Sequence, residues 1–250
     1  MIKSMTHKDL FSAHSADYRS FRPTYPQALF DHLATLVTMH DVAWDVGCGN
    51  GQSSVELAKH FGTVHATDIS REQLKNAIQH PRVRYSIASA ESSGLSPGSV
   101  NLTTSSQAFH WFHRENFIAE LRRVSAPGAV VAIWCYDVCK ISDELDPIIE
   151  HLYNGILKGY WESERALVDE LYASVVMPFE SISMPSFEMT TEWSLEHLIG
   201  YFQTWSAVNT YIQKNAHDPV AIVAPDLRAA FGSSKSRIIH WHLQPRAWRI

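Results

Sequence analysis

Residues 44–52 read Trp44-Asp45-Val46-Gly47-Cys48-Gly49-Asn50-Gly51-Gln52 and contain the strongest structural signal in the chain. An apolar run ends at Asp45, three glycines follow at alternate positions, and a helical pattern starts at Ser53. Glycine tolerates positive φ and lets the backbone approach a bound molecule closely. The stretch therefore predicts a strand, a tight turn and the start of a helix, with a ligand held over the turn.

A competing interpretation is the dinucleotide-binding pattern G-x-G-x-x-G, in which the opening helix binds a pyrophosphate. Here the third glycine comes one residue early, at Gly51, and Gln52 takes the place of the expected glycine. The acidic Asp45 also suits an ammonium group better than a phosphate. The spacing disfavours a dinucleotide, although the motif taken alone also allows an ordinary glycine-rich corner without a ligand.

The composition is that of a globular protein. The 250 residues are 45% hydrophobic and 19% charged, with a formal net charge of -5, which argues against nucleic-acid binding through broad electrostatics. No apolar stretch is long enough to span a bilayer, and the first ten residues lack the apolar core of a signal peptide. Cys48, Cys135 and Cys139 are too few for a disulfide framework or a metal site. We expect structural cysteines, no bound metal and a cytoplasmic location.

From Val42 onward, strand and helix patterns alternate up to Asp137. Such alternation predicts an α/β fold with a doubly wound, mostly parallel sheet and a ligand outside the carboxyl ends of its strands. We expect a single domain of residues 1–250. Its predicted parts are an N-terminal lid and helix (1–40), a cofactor-binding core (41–137), a cap with the remaining helices (138–236) and terminal strands (237–250).

Two further strand ends carry polar or aromatic residues. Asp68 ends the second strand, where a carboxylate can accept hydrogen bonds from ribose hydroxyls; capping the next helix is the alternative role, and Ser70 could perform it instead. The fourth strand leads into Gln107-Ala108-Phe109-His110-Trp111-Phe112. Phe109 and Phe112 can be explained by packing, whereas Gln107, His110 and Trp111 are expected to face the crevice.

Taken together, these motifs resemble the class I S-adenosylmethionine-dependent methyltransferases in order and spacing. The matching segments are 45–51, Asp68, Ala90-Glu91, 107–112, Leu121 to Val124 and Pro127-Gly128. The 107–112 segment, together with Phe21 to Pro26, resembles the trans-aconitate methyltransferase-like branch, a type 11 methyltransferase domain. One departure is His113, where relatives often carry an aspartate, and it weakens any substrate role carried over to that position.

The resemblance implies a seven-stranded sheet whose last strand is antiparallel, helices on both faces, a helical cap, and S-adenosylmethionine as the cofactor. It implies cofactor contacts from Tyr18, Arg22, Asp45, Gly47, Cys48, Gly49, Gly51, Asp68, Ile69, Ala90, Glu91, Gln107, Ala108 and Phe109. Ala90 would pack on the adenine ring, while Glu91 either binds its amino group or is simply exposed. Trp111, Trp134, Tyr136 and Trp205 are expected at the methyl acceptor, with Tyr160, Trp161 and Tyr211 as further pocket aromatics.

The acceptor decides which side chains the chemistry needs. A carboxylate is ionised near neutral pH and needs cations but no base. Of the candidate cations, Arg22 is expected near the site, and Arg165 and Arg246 are interpreted as surface charges. A phenol or amine would benefit from a base, for which His110 is the candidate. We expect methyl transfer to a small molecule, no nucleic-acid or membrane partner, and a monomer or weak homodimer. A non-catalytic cofactor-binding module and a nicotinamide-dependent oxidoreductase are the alternatives.

Overall fold

A seven-stranded sheet forms the centre of the protein. The computed structural model describes residues 21–250, and the predicted contact Tyr18 lies outside them. The strands are β1 Val42–Val46, β2 Thr63–Asp68, β3 Val83–Ile87, β4 Val100–Ser106, β5 Ser125–Trp134, β6 Glu180–Ile182, β7 Phe187–Trp193, β8 Arg237–Leu243 and β9 Arg246–Arg249. The main sheet has the order β3-β2-β1-β4-β5-β9-β6, and β7 pairs with β8 in a separate two-stranded sheet. Strands β1 to β5 are parallel, while β9 runs antiparallel between β5 and β6. The predicted fold class is confirmed.

Helices cover both faces of this sheet. They are α1 Gln27–Thr35, α2 Gln52–Leu57, α3 Arg71–Lys75, α4 Arg114–Val124, α5 Asp146–Glu150, α6 Ala166–Asp169, α7 Leu195–Gln203, α8 Ser206–Asn215 and α9 Val220–Phe231. Side chains alternate between the faces along a strand. Accordingly Ala43 joins a buried cluster with α1 and α2, whereas its neighbour Trp44 joins a second cluster with Phe117 and Leu121 of α4.

The second half of the chain differs from the sequence prediction in its local structure. The predicted helix from Asp143 to Gly159 is α5 followed by a π-helical turn at His151–Ile156. The predicted helix from Glu162 to Tyr172 is a 3₁₀ turn at Ser163–Arg165 followed by the short α6. Strand β6 and helices α8 and α9 were not predicted; Pro225 inside α9 hides its helical pattern. Packing onto the sheet decides these segments more than their own sequence preferences do.

The strand order creates one crevice. The chain moves outward from β1 through β2 to β3 and then returns to β4 on the other side of β1. Ligands of doubly wound sheets bind outside the carboxyl ends of the strands at such a switch. The described part of the protein, residues 21–250, contains no helix with the length and apolarity needed to cross a membrane.

Candidate active site

A cavity of about 470 Å³ lies at the carboxyl ends of the parallel strands. This volume falls in the range of small-molecule sites. The structure brings the following predicted site residues into its lining: Arg22, Gly47, Cys48, Gly49, Asp68, Ile69, Ala90, Glu91, Gln107, Ala108, His110, Trp111, Tyr136 and Trp205. They come from five strand ends, from the N-terminal segment and from the cap, so distant parts of the chain meet at one site.

The glycine turn forms the floor of the cavity. Gly47 has a φ of 67°, and a Cβ at this position would lie 2.5 Å from the Cβ of Ala108. The backbone N–H groups of Gly47 and Cys48 donate to the carbonyl of Thr67 at 2.8 and 3.0 Å. The turn is therefore fastened to the end of β2, and only glycine leaves room for the β4 loop beside it.

Asp68 connects this turn to the next helix. Its Oδ2 accepts a hydrogen bond of 2.8 Å from the Gly49 N–H, and its Oδ1 accepts one of 2.8 Å from the Ser70 N–H. Ser70 caps α3, with its hydroxyl accepting from the N–H of Gln73. The carboxylate at the end of β2 is thus held rigidly at the cavity wall, and the capping role belongs to Ser70 as the sequence suggested.

Four predicted contacts lie behind the lining. Asp45 is fully buried, and its carboxylate accepts hydrogen bonds from Ser54 at 2.6 Å and Thr104 at 3.0 Å, so it ties β1 to α2 and β4. Burial raises the pKa of Asp45 to about 6, against the opposing hydrogen bonds. Gly51 faces the ring of Tyr85 instead, Phe109 packs against Phe117, and Trp134 is fully buried. These four residues pack beneath the cavity wall, and residues close to them in the sequence form the wall itself.

The segment after β4 places an imidazole in the cavity wall. Gln107 has a φ of 54°, an uncommon conformation for a residue with a side chain, and its N–H donates to the carbonyl of Trp134 at 2.9 Å. The following 3₁₀ turn presents His110, whose Nδ1 lies 2.9 Å from the hydroxyl of Tyr172. Burial lowers the pKa of His110 to about 3, with a smaller effect in the same direction from Arg165. His110 is therefore neutral throughout the physiological range.

The loop after β3 forms the opposite wall. Ala90 is buried in the lining, and Oε1 of Glu91 accepts a hydrogen bond of 2.9 Å from the N–H of His113. This bond ties the β3 loop to the start of α4. One carboxylate oxygen of Glu91 is therefore already used in a hydrogen bond within the protein.

Two arginines enter the cavity from the cap side. Arg22 donates to the hydroxyl of Tyr136 and to the carbonyl of Thr204, each at 3.1 Å. Arg165, interpreted from sequence as a surface charge, instead lines the cavity with a side chain that is 24% exposed. Arg246 is outside the lining and donates to the carbonyl of Ala173. The surface interpretation is wrong for Arg165, because its 3₁₀ turn packs against the 3₁₀ turn Phe109–Trp111 that follows β4.

Arg165 is held by three side chains. Its Nε donates to the hydroxyl of Tyr153 at 2.9 Å and contacts Oδ1 of Asp169 at 3.3 Å. The guanidinium lies 4.9 Å from the ring centroid of Trp161. Within residues 21–250 neither Nη atom has a hydrogen-bond acceptor, so both are available to an anion in the cavity.

Sequence reasoning missed other parts of the lining. These are Pro23, Tyr25, Asn50, Gln52, Ser53, Ser70, Gln73, Ala88, Ser89, Ser106, Phe112, Glu162, Arg165 and Ser206. Several are direct neighbours of the predicted motifs and could have been found from the strand ends. Glu162, Arg165 and Ser206 carry no local signal, because long-range packing of the cap places them. Of the further predicted aromatics, Trp161 lines the cavity, whereas Tyr160 and Tyr211 pack on each other outside the lining, with ring centroids 4.7 Å apart and planes tilted by 47°.

The residues present suit the cofactor that the sequence resemblance implies. Only glycine at position 47 keeps the floor open beside Ala108. A carboxylate stands at the end of β2, where ribose hydroxyls are bound in this class of sheet. A small apolar residue, Ala90, lies in the wall after β3, where an aromatic ring could pack. The open floor, the carboxylate and the small apolar wall thus suit the nucleoside part of that cofactor.

Comparisons with known proteins agree with this geometry. A family model described as a methyltransferase domain matches residues 44–133. A candidate methyltransferase of Dictyostelium discoideum is 32% identical over 231 residues, which cover 89% of this chain and 86% of that protein. A candidate S-adenosylmethionine-dependent methyltransferase of Saccharomyces cerevisiae is 22% identical, with 86% of each chain covered.

A solved structure gives the same result for the fold. The candidate type II methyltransferase from Anaeromyxobacter dehalogenans superposes with a TM-score of 0.85 and 41% identity, covering 92% of this chain and 98% of that one. These similarities favour neither a nicotinamide-dependent oxidoreductase nor a non-catalytic module. They do not identify the acceptor, so the resemblance to the trans-aconitate branch stays a prediction.

Proposed function

The chain belongs to the class I S-adenosylmethionine-dependent methyltransferases, and we propose that it methylates a small-molecule carboxylate. The observation that favours a carboxylate as the methyl acceptor is the position of Arg165. Its two Nη atoms have no hydrogen-bond acceptor among the described residues, and it lies in the cavity lining. A planar guanidinium matches a carboxylate with two parallel hydrogen bonds.

The cofactor would be held by the strand-end residues. Gly47, Cys48 and Gly49 would contact its amino-acid part through their backbone, and Asp68 would accept bonds from the ribose hydroxyls. A carboxylate can accept about four hydrogen bonds, so Asp68 can hold the glycine turn and a ribose together. Ala90 and Ile69 would pack against the adenine. When bound, S-adenosylmethionine supplies an electrophilic methyl group on a sulfonium.

The task of the protein in such a transfer is to position the acceptor and exclude water. An oxygen of the acceptor carboxylate attacks in line, and correct positioning lowers the barrier because the reacting atoms are already oriented. Arg165 would hold the two oxygens of the acceptor carboxylate by hydrogen bonds. The aromatic side chains of Trp111, Trp161 and Trp205 would exclude water from the cavity. No proton has to leave a carboxylate, which agrees with a neutral His110 whose low pKa makes it a poor base.

The alternative acceptors are phenols and amines, for which the sequence suggested His110 as the base. A group with a pKa of about 3 removes a proton from a phenol only weakly. We accordingly place this class second. We also propose a cytoplasmic location, because Cys48, Cys135 and Cys139 are free thiols that stay reduced there.

The proposal is tested by offering the purified protein S-adenosylmethionine with panels of small carboxylates, phenols and amines. Formation of S-adenosylhomocysteine and of the methylated product is followed by mass spectrometry. We expect methyl esters from the carboxylate panel. Arg165→Gln should raise the KM for the acceptor about 10- to 100-fold, the effect of one charge-assisted interaction, and leave the Kd of the cofactor unchanged.

The matched control is Arg122→Gln, because Arg122 stacks on Phe179 outside the cavity lining. It should leave both constants within about twofold of the wild type. Turnover confined to phenols or amines would refute the carboxylate acceptor, as would an unchanged KM in Arg165→Gln.

A further inference from the structure

The hydroxyl of Tyr172 lies against the imidazole of His110 in a closed part of the site. The phenol is fully buried, with 0% exposure. Its oxygen lies 2.9 Å from Nδ1 of His110, and the backbone N–H of the same residue also acts on it as a donor. Within residues 21–250 no acceptor other than Nδ1 occurs for the O–H. Phe109 packs on the tyrosine ring with centroids 5.6 Å apart. The contact is therefore fixed in place on all sides.

The backbone is strained at Tyr172, the residue that makes this contact. Leu171 and Tyr172 have φ values of 52° and 60°, two consecutive side-chain-bearing residues in the left-handed region. This conformation is unfavourable for L-residues because Cβ crowds the following carbonyl oxygen. The N–H of Tyr172 donates to the carbonyl of Leu167 at 2.8 Å, which closes the turn. Backbone strain of this kind persists where the surrounding structure over-determines the conformation, and it clusters at functional sites.

The buried hydroxyl determines which nitrogen of His110 carries the proton. A neutral imidazole has one N–H donor and one acceptor nitrogen. If Nδ1 were protonated, it would donate to the phenol, and the O–H of Tyr172 would be left without an acceptor in a buried position. Such an orphaned donor keeps the full cost of its desolvation, so this tautomer is disfavoured. If Nδ1 is the acceptor instead, the tyrosine O–H is satisfied and the proton resides on Nε2.

We infer that Tyr172 is a positioning residue that holds His110 as the Nε2–H tautomer, so that the imidazole donates a hydrogen bond into the cavity. Nε2 is the ring nitrogen left for a ligand, since it has no hydrogen-bond partner among the described residues. The only charged side chain that acts on the ring in the described part of the chain is Arg165, and its positive charge disfavours a second proton. An Nε2–H cannot accept a proton, whereas it can hold an oxygen of an anionic acceptor. The tautomer stands on geometry alone; its role toward the acceptor rests on the proposed function.

The tautomer is measured directly by long-range proton–nitrogen correlation spectra of ¹⁵N-histidine-labelled protein at pH 7 without ligands. The signals of His110 are assigned by their loss in His110→Asn. In the wild type we expect a protonated Nε2 and an unprotonated Nδ1. In Tyr172→Phe, which keeps the ring and removes only the hydroxyl, both tautomers should be populated. A wild-type Nδ1–H form, or identical tautomer populations in Tyr172→Phe, would overturn the inference.

The matched control is Tyr201→Phe, which removes another buried phenol, one that accepts from Nε1 of Trp241 at 3.2 Å. It should leave the His110 tautomer unchanged, and a shift there would show that any buried-hydroxyl loss disturbs the ring. With a methylated acceptor in hand, Tyr172→Phe should lower kcat/KM about tenfold, roughly the effect of one hydrogen bond, at unchanged cofactor Kd. Unchanged kcat/KM despite an altered tautomer would refute the role toward the acceptor. Failure to find a carboxylate acceptor would affect the proposed function and leave the spectral result intact.

Discussion

Gly47 shows how one missing Cβ shapes the cavity floor. Two costs would follow from adding a side chain there: the left-handed backbone conformation, with a φ of 67°, and overlap with the Cβ of Ala108 at 2.5 Å. The second atom is attached directly to the backbone, so it cannot rotate away. Gly98 separates the two costs, because it has a φ of 65° and a Cβ there would meet nothing within 4 Å.

Gly47→Ala should therefore destabilise the protein more than Gly98→Ala. We expect about 1–2 kcal/mol for Gly98→Ala from backbone strain alone, and about 1–3 kcal/mol more for Gly47→Ala from overpacking. Urea unfolding measures both, and calorimetry with S-adenosylmethionine should show weaker binding for Gly47→Ala only. Equal destabilisation of the two variants would mean that the loop carrying Ala108 moves aside for the new Cβ without a loss of stability.

At the scale of elements, helix α4 fastens the loop that forms the wall after β3. Oε1 of Glu120 accepts hydrogen bonds from the N–H of Ser93 at 2.8 Å and from its hydroxyl at 2.5 Å. Arg123 donates to both oxygens of the same carboxylate at 2.7 Å. These bonds, the arginine's above all, lower the pKa of Glu120 to about 2. The loop that carries Ala90 and Glu91 is thus fixed by a charge on the neighbouring helix.

This tether makes a pH-dependent contribution to stability. The folded-state pKa of Glu120 lies below the ordinary glutamate value of 4.5, so its contribution to stability is present above pH 4.5 and is lost as the pH falls toward about 2. Glu120→Gln should lower the free energy of unfolding at pH 7, and the difference from the wild type should shrink as the pH falls through this window. It should also weaken cofactor binding at pH 7, because the wall after β3 loosens.

The control for that series is Glu56→Gln, which breaks an exposed i,i+3 pair with Lys59. Exposed pairs of this kind contribute at most about 1 kcal/mol. A difference between Glu120→Gln and wild type that stays constant from pH 7 to pH 3 would show that the carboxylate charge is not what fastens the loop.

For the whole molecule, local sequence signals predicted one half of the site and not the other. The glycine turn, Asp68 and the 107–112 segment each follow the carboxyl end of a strand. Because alternating strands and helices predict a parallel sheet, these ends are expected on the same side of the sheet, where the ligand binds. Arg165 and Tyr172 follow irregular turns in the cap, and the positive φ of Tyr172 carries no glycine to signal it. Their positions depend on packing between segments far apart in the chain, which a single sequence does not reveal.

The same dependence on distant segments holds for the sheet, because β9 is an inner strand. It pairs with β5 on one side and with β6 on the other. Its Ala247 is 1% exposed in one buried cluster, and Trp248 is 4% exposed in the other. The strand therefore joins both cores, although it lies more than a hundred residues beyond β5.

Deleting residues 246–250 should consequently abolish cooperative folding. Removal of β9 would leave β6 without a partner, expose the edge of β5 and empty the Trp248 position, a loss that alone costs about 3–5 kcal/mol for a buried large aromatic. Domains have only about 5–15 kcal/mol of net stability to lose, and an unpaired apolar edge strand promotes aggregation. We expect insoluble protein, or a soluble fraction without a cooperative urea transition. Deleting Ile250 alone removes a 2.8 Å backbone bond to Ala129 and the contact of a partly buried side chain with the Trp248 cluster, and it should cost only about 1–3 kcal/mol. A truncation at Pro245 that unfolds with the midpoint of the full chain would show that β1 to β5 form an independent sheet and that β9 is dispensable to it.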